Sequence, residues 1–150
     1  MKNNLTVITT AIPSWFKVAA ILALIWNVLG LMAFIAQIAM TPDDISRLPQ
    51  AQQDLLATTP LWATVAFAVA VISGTLASIA LLMRKIICYP LYIASLTGVM
   101  VQMFHAFVIS NSFEIYGPSG TIMPIMVIVV AWLLMKFSAS AVKNKWFDAA

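Results

Sequence analysis

Four apolar runs, each about 20 residues or longer and nearly free of charge, govern what this chain can become. They extend over about Trp15–Met40, Pro60–Met83, Pro90–Ser110 and Ile122–Val142. A helix needs about 20 predominantly apolar residues to cross the hydrocarbon core of a bilayer. Within that core every backbone N–H and C=O must be paired inside the structure, which leaves only helices and closed barrels. The runs do not alternate apolar with polar residues, so barrel strands are excluded. Composition agrees: 63% of the 150 residues are hydrophobic and 9% are charged, against about 25% charged in a soluble domain. So few polar side chains cannot coat a soluble core. The first run is also far longer than the apolar stretch of a signal peptide, and we read it as a retained span. The expected fold is an all-α membrane protein. It is a four-transmembrane-helix antiparallel bundle formed by a single membrane domain over residues 1–150.

The charges orient this bundle. Lys2, Lys17, Arg84, Lys85, Lys136, Lys143 and Lys145 fall at one end of it, and Arg47 alone among the basic residues falls at the other, with Asp43, Asp44, Asp54 and Glu114. The positive-inside rule then expects both termini in the cytoplasm. Trp15, Tyr89, Tyr92 and Trp146 are expected at the inner interface, and Trp62 and Tyr116 at the outer one. Lys136 falls slightly inside the hydrocarbon, from where its stem can snorkel to the cytoplasmic surface. Pro60, Pro90 and Pro124 mark helix starts, where a missing N–H costs nothing. Thr41-Pro42-Asp43-Asp44 reads as a helix N-terminus with its acids at the positive dipole end. It opens a short amphipathic segment, broken near Pro49, with Ile45, Leu48, Ala51 and Leu55 on one face. Such a segment is either a lid or docking surface, or a covered connection between spans.

Polar residues inside a membrane are costly and are the first place to look for function. Asn27, Gly30, Phe34 and Gln37 share one face of the first span by their spacing of three and four. Ser95, Gly98, Gln102 and His105 do the same in the third. Ala66, Ala70, Gly74 and Ser78 form a stripe of small residues in the second, beside Ser73 and Thr75. The candidate polar cluster is therefore Asn27, Gln37, Ser73, Thr75, Gln102 and His105. The candidate helix-packing residues are Ala70, Gly74, Ser78, Gly30 and Gly98. The competing reading of the polar set is interhelical glue, worth about 0.6 kcal/mol per bond. Around Gly30 and Gly98 the chain repeats itself faintly, which places Gln37 opposite His105. The fourth span has no polar side chain from Ile122 to Met135 and is expected to face lipid or lie at the bundle edge.

Several chemistries lose their footing. One cysteine, Cys88, and one histidine, His105, cannot supply a zinc site, and no cofactor is expected. No carboxylate lies within a span and no nucleophile sits beside a base, so an enzyme is not expected. A net charge of +3, with the basic residues placed between apolar runs, is a topology signal and not a nucleic-acid surface. The stretches Trp26-Asn27-Val28-Leu29-Gly30, Met40-Thr41-Pro42, Val101-Gln102-Met103-Phe104 and Tyr116-Gly117-Pro118 through Pro124 carry a resemblance. The chain resembles a family of small four-span bacterial inner-membrane proteins that bear a sugar-transporter label. The likeness covers nearly the whole chain and brings no functional residues to transfer. It implies a multi-pass protein of the bacterial inner membrane that moves a small neutral, sugar-like solute, as a homo-oligomer because four helices are few to enclose a path. The alternative is an accessory protein that packs against another membrane protein, through Gly74 and Ser78 or the amphipathic segment, or self-assembles.

Overall fold

Proline and local capping set the helix boundaries along this chain. A computed structural model describes residues 12–110, 114–115, 117 and 121–147. Its helices are α1 (Ser14–Ile38), α2 (Pro42–Ser46), α3 (Gln50–Thr58), α4 (Leu61–Leu82), α5 (Cys88–Phe104) and α6 (Ile122–Lys143). A π-helical turn, His105–Ile109, continues α5 directly. No strand occurs among the described residues. Pro60 is the N-cap of α4, while Pro90 and Pro124 lie in the first turns of α5 and α6, where backbone N–H groups have no intrahelical acceptor. Four helices are long and apolar enough to cross a membrane: α1, α4, α5 with its π turn, and α6. The protein is thus an all-helical, four-span bundle. Its outward surface is apolar, with Leu22, Met32, Leu61 and Ile122 all well exposed, as a lipid-facing surface requires.

The spans pack in chain order: α1 against α4, α4 against α5, and α5 against α6. The tightest seam joins α4 to α5. A Cβ added at Gly98 would stand 2.7 Å from the Ala66 carbonyl oxygen and 2.8 Å from the Ala70 nitrogen. Backbone therefore meets backbone here, as small residues allow in membranes. Ala66, Ala70, Gly74 and Ser78 are all buried along this side of α4. Gly30 is different: a Cβ there would meet only Val71 Cγ1, at an ordinary 3.6 Å. The faint repeat that equates Gly30 with Gly98 does not extend to how the two glycines pack.

Both long helices that end at the basic end of the bundle close with the same hydrogen bonds. After α4, Arg84 N–H donates to the Leu81 carbonyl and Lys85 N–H to the Ala80 carbonyl; after α6, Lys145 N–H donates to Val142 and Trp146 N–H to Ala141. Arg84 and Lys145 take φ values of 55° and 53°, the left-handed position that this cap requires and that glycine usually fills. The second cap folds Trp146 back over the start of α1. There Trp15 lies 5.9 Å and Phe16 5.7 Å from the Trp146 ring, and Phe137 and Phe147 complete the cluster. Beneath it, Phe16, Ala20, Ala77, Leu81, Cys88, Tyr92 and Ala141 form the buried core. Trp15 and Trp146 hold α1 to α6 here. Tyr92, expected at an interface, is instead only 2% exposed, because its hydroxyl finds a partner on α4.

Lys136 does not snorkel toward the basic end. Its Nζ lies 5.6 Å from the ring centre of Trp132, one turn back, because helical side chains lean toward the N-terminus and the indole face attracts the ammonium. At the opposite end α2 opens with a full capping box between Thr41 and Asp44. Ile45, Leu48 and Leu55 are half-buried, but Ala51 is exposed, since the break at Pro49 resets the helical phase. The Thr41 hydroxyl, and after it the Thr41 backbone, donates to the Asp44 carboxylate and holds its pKa below the ordinary value. Stability linked to this carboxylate is present above its unfolded pKa and lost as pH falls through the lower folded one. Thr41→Val is expected to raise the Asp44 pKa toward the ordinary carboxylate value, read by carbon NMR of the side chain. No change would show that Thr41 does not hold the charge.

Candidate functional site: a cleft between the first and last spans

Because α1 and α6 pack on their neighbours, they approach each other chiefly at the aromatic cluster. Above that closure a cleft of about 320 Å³ separates them. Trp26, Asn27, Leu29, Gly30 and Ala33 line it from α1; Phe67, Ala70 and Val71 from α4; Tyr92, Ser95, Val99, Gln102 and Met103 from α5; and Met123, Pro124, Val127, Ala131 and Leu134 from α6. Leu29 and Met123 are 61% and 59% exposed, so the cleft opens sideways between α1 and α6. None of its lining residues carries a charge. The volume is near the lower limit of small-molecule sites, about 300–1,000 Å³.

The cleft wall is built on one polar network. Asn27 Nδ2 donates to the Ala23 carbonyl at 2.9 Å and to Ser78 Oγ at 3.1 Å. Ser78 Oγ donates to the Gly74 carbonyl at 2.9 Å and lies 2.9 Å from the Tyr92 hydroxyl. With its single proton given to Gly74, Ser78 must accept from Tyr92. Thr75 is shared between the Val71 and Asn27 carbonyls, and Ser95 donates to the Ala70 carbonyl at 2.7 Å. The Ala23 carbonyl can only accept, which fixes the Asn27 amide: nitrogen toward Ala23 and Ser78, oxygen over Gly74. A Cβ at Gly74 would fall 2.2 Å from that oxygen, so the bare glycine makes the seat of the amide. The Asn27 oxygen, the Tyr92 oxygen and the whole Gln102 amide accept or donate no further bond among the described residues.

The six sequence-predicted polar residues therefore separate. Asn27 and Thr75 join the network, and Gln102 presents its amide to the same cleft. Ser73 donates to the Val69 carbonyl of its own helix. His105 is buried with its ring edge-on to Trp62 at 5.3 Å, apart from the cleft lining. Gln37 lines a second, shallower hollow with Met40, Ile45, Leu56, Thr59 and Thr64. Gly74 and Ser78 are buried inside the bundle and are not free to dock another protein. Two wall residues stand outside the candidate cluster: Ser95, which the sequence already places on the Gln102 face, and Tyr92, which it expects at an interface. Extending the α5 face back from Gln102 through Val99 gives Ser95 and Tyr92 at spacings of three, four and three, which is the signal that finds them. Pro124, Val127, Ala131 and Leu134 repeat that spacing on α6 and line the facing wall. Among the described residues no group of His, Cys, Asp or Glu gathers to hold a metal. No protein-family model, curated protein or solved structure matches this chain.

Proposed function

We propose that this membrane protein is a non-enzymatic handler of a small neutral solute, a transporter or facilitator whose working site is the α1–α6 cleft. The observation that carries the reading is the Gln102 amide, unbonded among the described residues, in a cleft without charge. An unpaired amide at membrane depth is costly, and a neutral solute is the partner that relieves it. The charge distribution along the chain supports placing both termini in the cytoplasm, and a bacterial inner-membrane location is what the family resemblance implies. A sugar would ask for several polar partners, and Asn27 nitrogen, Ser95 and Ser78 are already committed between helices. The cleft thus favours a solute with few hydrogen-bonding groups.

Reconstituted vesicles test the reading. Gln102→Leu is expected to reduce solute uptake by about two- to tenfold, the value of one net hydrogen bond. His105→Leu, away from the cleft, is expected to leave uptake within about twofold. Equal loss in both variants would move the site off the cleft. Unimpaired uptake by Gln102→Leu would end the proposal.

A further inference from the structure

The shape of the cleft narrows the class of solute, on the reading that the cleft is the working site. Gln102 lies seven residues from Ile109, and Asn27 eleven from Ile38, so their depths below the loop end are about 10 Å and 16 Å at about 1.5 Å per residue. Met123 and Pro124 begin α6 at that same end. The cleft therefore opens, at Leu29 and Met123, in the half nearer that end, and reaches past mid-span to Leu134 and Tyr92. It is closed toward the basic end by the aromatic cluster of Trp15, Phe16, Phe137 and Trp146. Its side opening, past Leu29 and Met123, faces the position of the acyl chains. We infer that the cleft takes a neutral lipid alcohol, an apolar chain or body bearing a hydroxyl group, sideways from the loop-side half of the bilayer. The unoccupied bonding positions match a hydroxyl: the Asn27 oxygen accepts its proton, and the Gln102 amide donates to its oxygen. The rest of the wall is aliphatic, aromatic and methionine, which suits the chain. A charged phospholipid headgroup finds no cation here, since no lining residue is Lys or Arg.

The test uses the full chain in phosphatidylcholine vesicles with a long-chain alcohol carrying a photoreactive diazirine at mid-chain. Adducts, mapped by mass spectrometry, are expected on cleft residues such as Gly30 and Val127 in excess over the outward face at Trp132 and Leu133. Unlabelled alcohol is expected to compete, and the alkane of equal length is not. Gln102→Leu is expected to lower cleft labelling by about two- to tenfold, the value of one net hydrogen bond, with Trp132 labelling unchanged. Val127→Trp, which fills the cleft without touching the polar network, is expected to lower it too. Even labelling around the bundle, equal competition by the alkane, or full cleft labelling in Gln102→Leu overturns the inference. Gln102-dependent uptake of a water-soluble solute without cleft adducts overturns the lipid alcohol alone and leaves the cleft as the solute site. Absence of both overturns both.

Discussion

Gly98→Leu is expected to abolish the four-span bundle, and Gly98→Ala to lower its stability by about 1–3 kcal/mol, the usual cost of overpacking a tight site. The first Cβ already meets three backbone atoms: the Ala66 carbonyl oxygen at 2.7 Å, the Ala70 nitrogen at 2.8 Å and the Ala70 Cα at 3.0 Å. Backbone cannot rotate aside as a side chain does, so α5 must move away from α4. That movement separates Ser95 from the Ala70 carbonyl and Tyr92 from Ser78. Better helix propensity offsets up to about 1 kcal/mol of this for alanine and nearly as much for leucine, so it is the added volume of leucine that leaves no fold where alanine leaves a weakened one. Gly30→Ala supplies the comparison. Its Cβ meets Val71 Cγ1 at 3.6 Å, an ordinary contact, so the propensity gain is unopposed and stability is expected to hold or to rise by up to about 1 kcal/mol. Unfolding in mixed detergent micelles and gel filtration read both. Equal stability of Gly98→Ala and Gly30→Ala would mean that the α4–α5 seam is looser than its geometry.

The contrast between these two glycines shows where the sequence stops being legible. The four spans could be read because length and apolarity report directly on the bilayer, and α1, α4, α5 and α6 begin and end within a few residues of the apolar runs. The inner face of each span is harder to read, because lipid and protein interior are equally apolar and no amphipathic contrast separates them. Small residues at spacing four did mark the α4 stripe, since close approach demands them. Tyr92 was drawn to an interface by its amphipathic ring, and only its hydrogen bond to Ser78 pulls it inside. Arg84 and Lys145 hold left-handed cap positions with no glycine to announce them. The stripe on α6 consists of Pro, Val, Ala and Leu, indistinguishable by type from the lipid-facing residues beside it. Gln102 was visible as a costly residue; that it stands in a cleft while His105 rests against Trp62 depends on how the spans pack against one another.

Gly74→Ala is expected to disable the polar network as well as strain the seam. Its new Cβ would lie 2.2 Å from the Asn27 oxygen, 3.2 Å from Asn27 Cγ and 2.9 Å from Ser95 Oγ. These are side chains, so the backbone holds and the amide leaves its seat. Asn27 then loses its bonds to the Ala23 carbonyl and Ser78, and Ser95 its bond to the Ala70 carbonyl. At about 0.6 kcal/mol each within a membrane, three lost bonds amount to roughly 2 kcal/mol. The Asn27 oxygen also leaves the cleft wall, so Gly74→Ala is expected to impair solute handling even at temperatures where the bundle stays folded. A double substitution separates the two effects. With Asn27→Ala the two Asn27 contacts over residue 74 are gone and only Ser95 Oγ stays close, at 2.9 Å, so adding Gly74→Ala should then cost at least about 0.5–1 kcal/mol less than it does in the parent, a coupling typical of residues in direct contact. Unfolding measured for the parent, both single variants and the double variant gives that coupling. A value near zero would mean that the Asn27 amide does not occupy the hollow above Gly74, and the cleft would lose the acceptor it presents to a ligand.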